Sequence, residues 1–287
     1  MSDCEVLFDR VYLIPPRGLL EKAKRVILEK LNSGVLKYLS DIEIPCSRSM
    51  LVELVVDDEC EICPVAVEII GELIAKCDKV VSKIYNISYV KEPFNISATP
   101  TFRVNGRVTW IGVPTGDMSI FSDMLIEAYI RTHPDLEKLI LKLKSFAEQY
   151  EFSRCPNETI YKKLLYKLLS NIDKYGYPYC PCRPLKVAAT TQEILELNRD
   201  KICPCIYAVT DVKLKGRCLC GLFWSKSEID KYISERSEKY KSIIAEIDSI
   251  GEDLRELKIR VITGGSKRFL EAVIRRLERL YFYLPED

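Results

Sequence analysis

The chain has 287 residues, of which 47% are hydrophobic, and a formal net charge of +1. This length suffices for about two domains, and the near-neutral charge argues against a nucleic-acid-binding protein, which usually carries a strong basic excess. The sequence has neither the basic-then-apolar start of a secretory signal nor an apolar run long enough to span a bilayer, so we expect a cytosolic protein. Thiols stay reduced in that compartment, and the twelve cysteines therefore indicate metal binding or redox chemistry rather than a disulfide scaffold.

The first half of the chain predicts alternating strands and helices. A short strand is expected at residues 11–14, a helix at about 17–31 and a buried strand at 51–56. Cys60 and Cys63 follow that strand as Cys-Glu-Ile-Cys, and a largely apolar helix comes next. Free N–H groups and the helix dipole stabilise a thiolate at a helix N-terminus. We therefore place Cys60 at that terminus and Cys63 one turn inward, close enough to form a disulfide.

Glu61 lies between the two cysteines. A carboxylate beside Cys60 disfavours its thiolate, which makes the disulfide more stable and lowers the reduction potential of the pair. We therefore expect this pair to act as a reductant, in which Cys60 attacks a target disulfide and Cys63 resolves the mixed disulfide.

Further strands are predicted at residues 80–89, 101–104 and 108–111, with Asn105-Gly106 as the hairpin turn. Thr99 and Pro100 precede the second of these strands. Together with Cys-x-x-Cys, this Thr-Pro pair resembles the thioredoxin and glutaredoxin superfamily over about residues 51–130. The resemblance implies a cis Pro100 after Thr99, packed against the redox pair and positioning the substrate backbone. Taken alone, Cys-x-x-Cys also fits half of a zinc site.

The second half of the chain is predicted to be mainly helical. Helices are expected at residues 118–131, 136–150, 158–175 and about 191–197, the last opened by a capping box at Thr190. A second capping box at Ser225 predicts a long charged helix to about residue 250, and an amphipathic helix is expected after Gly265. That helical tail should pack on its own domain or pair with another copy of the chain, and membrane contact is not expected because it mixes acids with bases.

The best domain boundary is His133-Pro134. With the amphipathic helical extension counted separately, we predict three parts, namely residues 1–132, 133–226 and 227–287. Several chemically capable residues are given no part in a site: His133 as a loop residue, Cys4 and Cys46 without a role, and Cys77 and Cys155 as structural residues.

Six cysteines form three pairs with one residue between the two thiols of each pair: Cys180-Pro-Cys182, Cys203-Pro-Cys205 and Cys218-Leu-Cys220. Successive pairs are separated by 20 and 12 residues. One intervening residue brings two thiols close together on an extended backbone, and proline favours extended or turn geometry. Each pair is therefore predicted to be a stiff loop that offers sulfur, and soft thiolates suit iron–sulfur clusters and zinc best.

The ordered motifs, from about residue 155 to 224, resemble the catalytic subunit of ferredoxin:thioredoxin reductase. The resemblance implies a 4Fe-4S cluster held by Cys180, Cys203, Cys205 and Cys218, beside a redox-active disulfide of Cys182 and Cys220. It further implies that Cys220 is the sulfur on the cluster side and Cys182 the thiol that attacks a substrate. Four thiolates complete a cubane cluster and leave two of the six sulfurs over.

Leu219 stands where the family has histidine, so any proton relay through that imidazole must be replaced or absent. Positive charge surrounds the cysteine loops at Arg183, Lys213, Lys215 and Arg217. These bases either stabilise an anionic cluster, face an acidic electron donor or form ordinary solvated surface.

We therefore predict an α/β thioredoxin-like domain followed by a mostly α-helical 4Fe-4S domain with a C-terminal helical tail. Ferredoxin, implied by the resemblance, would supply single electrons. The Cys182–Cys220 pair would pass them to Cys60–Cys63, within one chain or between subunits, and that pair would reduce protein disulfides.

Two alternatives stay open from the sequence. In the first, the thioredoxin-like domain only docks a separate redoxin, which is the substrate. In the second, the chain is a scaffold stabilised by zinc on four of the six paired cysteines, although zinc sites more often have two to four residues between paired cysteines.

Overall fold

The computed structural model describes residues 4–91, 94, 96–113, 118–238, 241, 249 and 250. The strands are β1 (Glu5–Leu7), β2 (Val11–Ile14), β3 (Met50–Val56), β4 (Val80–Asn86), β5 (Thr101–Val104), β6 (Arg107–Ile111), β7 (Ser153–Arg154) and β8 (Phe223–Trp224). The helices are α1 (Leu19–Ser33), α2 (Cys63–Lys76), α3 (Ser119–Arg131), α4 (Leu136–Gln149), α5 (Glu158–Tyr175), α6 (Thr191–Asn198) and α7 (Ala208–Lys215). A short 3₁₀ helix covers Arg199–Lys201, and helical residues resume at 226–238.

A six-stranded sheet in the order β1-β2-β4-β3-β5-β6 forms the centre of the first part of the chain. Strands β2, β4 and β3 are parallel, whereas β5 is antiparallel to β3 and β6 is antiparallel to β5. Leu54 lies opposite Ile84 on one side and Phe102 on the other, and all three are buried. The order and directions of β2 to β6 are those of a thioredoxin-like sheet, which confirms the predicted fold class.

Helix α1 begins two residues later than the sequence predicted, at Leu19. The carboxylate of Asp58 accepts a hydrogen bond from the Leu19 N–H at 2.8 Å and so caps the first turn. Gly18 precedes it with φ 57°, and a Cβ there would lie 2.1 Å from an Asp58 oxygen. The helix therefore starts where this distant carboxylate reaches it, a contact that local periodicity does not contain.

The segment between α1 and β3 is tied to helix α2. The buried Glu72 carboxylate accepts hydrogen bonds from the N–H groups of Lys37, Tyr38 and Leu39 at 2.7, 2.8 and 3.0 Å, and from the Lys30 ammonium at 2.9 Å. Burial opposes ionisation, but these donors hold the pKa of Glu72 below its usual range.

A disulfide joins the same segment to the end of α2. Cys46 is bonded to the buried Cys77, with 5.6 Å between their Cα atoms and a sequence separation of 31. The sequence indicated no role for Cys46 and only packing for Cys77, so this disulfide was not predicted.

The described residues group into two compact units, and the division at residues 132 and 226 stays a prediction. The first unit contains the described part of Met1–Lys144 with Lys162–Ile206. The second contains Ser145–Tyr161 and the described residues from Tyr207 onward.

Within the first unit, helix α5 packs against the thioredoxin-like helix α3. The Tyr129 hydroxyl donates to Asp173 Oδ2 at 2.5 Å and contacts the Ser47 hydroxyl at 2.8 Å. The rings of Tyr129 and Tyr166 meet edge to face, with centroids 5.3 Å apart. Two ion pairs join the same helices, Lys162 to Glu127 at 2.5 Å and Lys163 to Asp123 at 3.3 Å. Buried and exposed contacts together hold α5 against the thioredoxin-like fold.

His133 lies in the connection after α3, as expected, but its side chain is buried rather than solvated. Its Nδ1 accepts the Asp135 N–H at 3.1 Å, which leaves Nε2 as the donor to Asp173 Oδ1 at 3.2 Å. Burial lowers the pKa of His133, and the nearby Asp173 carboxylate only partly opposes that effect. The imidazole is therefore neutral in the folded chain near pH 7.

In the second unit, β7 pairs with β8, and the Cys155 N–H donates to the Leu222 carbonyl at 2.9 Å. The rings of Phe146 and Phe223 lie 4.9 Å apart. Ser225 Oγ accepts the Glu228 N–H at 3.3 Å at the start of the helical residues 226–238. The amphipathic helix predicted after residue 265 lies outside the described residues. Within the described chain, no helix combines the length and apolar character needed to cross a bilayer.

We predict a pH dependence of stability that originates from the single histidine. A pKa lowered by folding gives stabilisation that is fully present above the unfolded value of about 6.5 and is lost as the pH falls through the folded value. The free energy of unfolding, measured with denaturant at several pH values, should therefore decline between about pH 7.5 and pH 5.5. A His133→Asn chain should lack this decline, and an identical decline in both chains would contradict the assignment.

Candidate functional site: two groups of cysteines

Cys60 and Cys63 form a disulfide at the end of β3, with 5.4 Å between their Cα atoms. The Cys60 N–H donates to the Asp57 carbonyl at 3.2 Å, which closes a turn, and the Cys63 N–H donates to Cys60 at 3.3 Å. Helix α2 begins only at Cys63, with Pro64 in its first turn, where proline fits well. The prediction that Cys60 lies at the helix terminus and Cys63 one turn inward is wrong, because Cys60 belongs to a turn that precedes the helix.

The two sulfurs differ in accessibility. Cys63 is 0% exposed, whereas Cys60 is half-buried. An incoming thiol or disulfide therefore meets the Cys60 sulfur first.

Thr99 and Pro100 stand directly before β5, and the bond between them is cis. Thr101 of β5 pairs with Val55 near the end of β3. Because the Cys60 turn leaves β3 at that same end, the register brings Pro100 and the disulfide to one edge of the sheet.

Two loops of the first unit carry the next four cysteines. The Cys180 N–H donates to the Lys201 carbonyl at 2.8 Å, and the Cys203 N–H donates to the Pro178 carbonyl at 2.8 Å. The Asn171 side chain, near the end of α5, donates to the Tyr179 carbonyl at 2.7 Å. The last turns of α5 and these backbone bonds thus hold both loops together.

The thiols of these loops are unequal. Cys180, Cys203 and Cys205 are buried, whereas Cys182 is exposed. A hydrogen bond with Cys180 and burial strongly raise the pKa of Cys205, and a hydrogen bond from Arg183 only partly opposes them.

The second unit carries Cys218 and Cys220, whose sulfurs lie 3.5 Å apart. A hydrogen bond from Cys220 lowers the pKa of Cys218 to about 7, against the effect of burial. The Phe223 N–H adds to this stabilisation of the thiolate at 3.3 Å from the sulfur. Cys218 is buried and Cys220 half-buried. Leu219 between them is 51% exposed.

Cys155 lies apart from this chemistry. It is buried, its thiol donates to the Asn157 carbonyl at 3.5 Å, and burial raises its pKa. These features fit the structural role that the sequence suggested for it.

Among the described residues, no three cysteine, histidine or carboxylate side chains are gathered as a ready-made site for a single metal ion. The six cysteines of the closely spaced pairs instead fall into a buried set and a more accessible set. The buried set is Cys180, Cys203, Cys205 and Cys218, and the more accessible set is Cys182 and Cys220.

Residues 131–246 match the family described as ferredoxin thioredoxin reductase catalytic beta chain. The matched segment contains all three closely spaced cysteine pairs. No curated protein matches the chain.

Three solved structures resemble parts of the chain. The first is a domain of alkylhydroperoxide reductase AhpF from Enterococcus faecalis, at 14% identity and a TM-score of 0.32, covering 40% of this chain and 57% of that one. A protein disulfide oxidoreductase from Aeropyrum pernix matches at 16% identity and a TM-score of 0.31, covering 42% of this chain and 55% of that one. A protein from Sulfolobus solfataricus matches at 16% identity and a TM-score of 0.29, covering 39% of this chain and 70% of that one. The chain thus spans little more than half the length of the first and the second of these structures.

Burial predicts different reactivities within the Cys60–Cys63 pair. After mild reduction, Cys60 should be alkylated about tenfold faster than Cys63, because only its sulfur is open to reagent. Mass spectrometry of peptides from timed iodoacetamide reactions measures both rates, with unfolded protein as the reference for equal access. Equal rates in the folded protein would contradict this difference.

Proposed function

We propose that this chain, whose residues 131–246 belong to the ferredoxin thioredoxin reductase catalytic family and follow a thioredoxin-like domain, reduces protein disulfides with electrons received one at a time. At the coarser level, it is an oxidoreductase that acts on disulfides. The observation that carries the finer proposal is the division of the six closely paired cysteines by burial. An accessible thiol suits exchange with a partner, and a buried thiolate suits a ligand because bound iron offsets its desolvation.

The buried set, Cys180, Cys203, Cys205 and Cys218, would hold a 4Fe-4S cluster, as the family resemblance implies. Its chemistry fits, because thiolates are the ligands such clusters take. The N–H groups around Cys218 stabilise negative charge on its sulfur. When bound, the cluster supplies single electrons, and ferredoxin is the donor that the family implies.

The exchange steps belong to Cys182 and Cys220. The exposed Cys182 attacks a partner disulfide, forms a mixed disulfide and releases one partner thiolate. Cys220 then attacks Cys182, which closes the Cys182–Cys220 disulfide and releases the second partner thiol. Two electrons and two protons pass to the partner in this exchange. Leu219 supplies no proton, so the protons must come from other groups or from water.

The first acceptor would be the Cys60–Cys63 disulfide. Cys182 attacks the accessible Cys60 sulfur, and Cys63 leaves as the buried thiolate. The reduced pair then acts on an external protein disulfide, where Cys60 attacks and Cys63 resolves. Thr99 and Pro100, at the same edge of the sheet, would hold the substrate backbone beside Cys60.

The cluster proposal predicts composition and colour. Anaerobically purified protein should be brown, absorb at about 400 nm and contain iron and sulfide. Cys205→Ser should remove the absorbance by deleting a ligand, whereas the matched change Cys155→Ser should keep it. A colourless preparation containing zinc would support the scaffold alternative instead.

The relay proposal predicts the effect of removing the second disulfide. A Cys60→Ser, Cys63→Ser chain should reduce an external protein disulfide at least about tenfold more slowly in a ferredoxin-coupled assay. The matched control is Cys46→Ala with Cys77→Ala, which removes a disulfide from the same domain and should leave the rate unchanged. If the first variant still reduces a free thioredoxin at the wild-type rate, the thioredoxin-like domain is a docking module.

A further inference from the structure

The turn that carries Cys60 is strongly acidic. Four carboxylates lie within five positions around it: Asp57, Asp58, Glu59 and Glu61. Glu59 and Glu61 are exposed on either side of Cys60. In the described chain none of the four forms an ion pair with lysine or arginine. The approach to the accessible sulfur therefore passes through negative charge.

The hydrogen bonds to the aspartates of this turn come from neutral groups. Asp57 accepts hydrogen bonds from the Glu59 N–H at 2.9 Å and the Ser88 hydroxyl at 3.1 Å. Asp58 accepts from the Leu19 N–H at 2.8 Å and the Asn86 amide at 2.7 Å. Burial opposes ionisation of Asp58, but these donors lower its pKa. The turn is thus fixed in place without being neutralised.

An apolar side chain accompanies these acids. Ile62, between the two cysteines of the pair, is 46% exposed. An apolar centre with a charged rim is the usual anatomy of a protein-binding surface.

Residues 213–220, which we call the basic Cys218–Cys220 loop, comprise the end of α7 and the loop after it, and they have the same anatomy with mainly the opposite charge. Lys213, Lys215 and Arg217 are exposed just before Cys218, and one carboxylate, Asp211, accepts the Leu219 N–H at 3.3 Å. Leu214 and Leu219 are 77% and 51% exposed. Arg217 lies over the Trp224 ring at 5.2 Å, and its backbone bridges to the same residue. The segment is therefore anchored at Arg217, while the side chains of Lys213 and Lys215 are exposed beside the two leucines.

We propose that the acidic Cys60 turn of one copy docks on the basic Cys218–Cys220 loop of a second copy, so that electron pairs pass between copies. This inference rests on the relay proposed above and adds that the Cys60–Cys63 pair receives its electrons from a second copy of the chain. Opposite charges on two exposed redox sites would accelerate their encounter. The part-buried hydrogen bonds of Tyr129 and His133 to Asp173 hold the thioredoxin-like domain against α5.

The exchange balances without another reagent. The Cys182 and Cys220 thiols of one copy become a disulfide, and the Cys60–Cys63 disulfide of the other becomes two thiols. Two electrons and two protons move from the first copy to the second.

Two complementary chains test the proposal. The donor carries Cys60→Ser and Cys63→Ser, is reduced chemically and is freed of reductant without air. The acceptor carries Cys182→Ser and Cys220→Ser and is oxidised. After mixing, samples are quenched with acid, and mass spectrometry follows the thiols that appear at Cys60 and Cys63 of the acceptor.

We expect transfer to slow about tenfold between about 20 mM and about 500 mM salt, because added ions screen the charges of the acidic turn and the basic loop.

Glu59→Gln with Glu61→Gln in the acceptor should slow transfer about tenfold at low salt, with little effect at high salt. The matched control, Glu29→Gln with Asp78→Asn, removes two exposed carboxylates from elsewhere on the same domain and should change nothing. An acceptor with Glu59→Lys and Glu61→Lys should receive electrons slowly from the unchanged donor. The transfer rate should rise again when the donor carries Lys213→Glu and Lys215→Glu.

The outcomes separate the inference from the relay. If the transfer rate depends neither on salt nor on these substitutions, docking between the acidic turn and the basic loop is wrong, but the relay is not contradicted. No transfer in the mixture, while single wild-type chains reduce their own Cys60–Cys63 pair at high dilution, overturns transfer between copies. No transfer in either experiment overturns the relay itself. Circular dichroism and reduction of each acceptor by dithiothreitol verify that the variants are folded.

Discussion

The carboxylate of Asp173 joins the two kinds of structure in this chain. It accepts hydrogen bonds from Tyr129 and His133 at the thioredoxin-like end, and it lies near the end of α5. The loop that follows α5 leads to Cys180, and the Asn171 side chain on the same helix holds that loop at Tyr179. A part-buried carboxylate and the helix that carries it therefore connect a thioredoxin-like fold to the positioning of a cysteine loop.

The exposure of each cysteine determines which role we propose for it. The unfavourable desolvation of a buried thiolate is relieved when it binds iron or accepts N–H bonds, and Cys218 already has such donors. An accessible thiol can reach a partner, which is the position of Cys60 and Cys182. A chain that takes single electrons and breaks two-electron bonds needs both kinds of sulfur, and the proposed relay uses each according to its exposure.

Local patterns predicted much of this architecture because they depend on neighbours in sequence. The strands around Leu54, the helix at 158–175 and the capping box at Thr190, with both reciprocal hydrogen bonds, were found from periodicity and cap residues. What failed depends on distant contacts. The start of α1 is set by Asp58, and no spacing rule indicates that Cys46 meets Cys77.

The candidate site was also predicted only in part. Its cysteines were found from their spacing in the sequence, but only the folded structure shows which of them are buried. The helix terminus next to Cys60 was misplaced because the turn from Asp57 precedes α2. The hydrogen bond between the buried His133 and Asp173 could not be predicted either, since the two residues lie 40 positions apart.

The most direct test of the account is a reductive titration of the fully oxidised chain with a one-electron donor, without air, followed by alkylation and peptide mass spectrometry. In the wild-type chain, the electrons should appear as paired thiols at Cys60 and Cys63. In a Cys182→Ser chain that still holds its iron, the Cys60–Cys63 disulfide should persist under the same titration. Equal reduction of Cys60–Cys63 in both chains would contradict the claim that single electrons leave as a pair through Cys182.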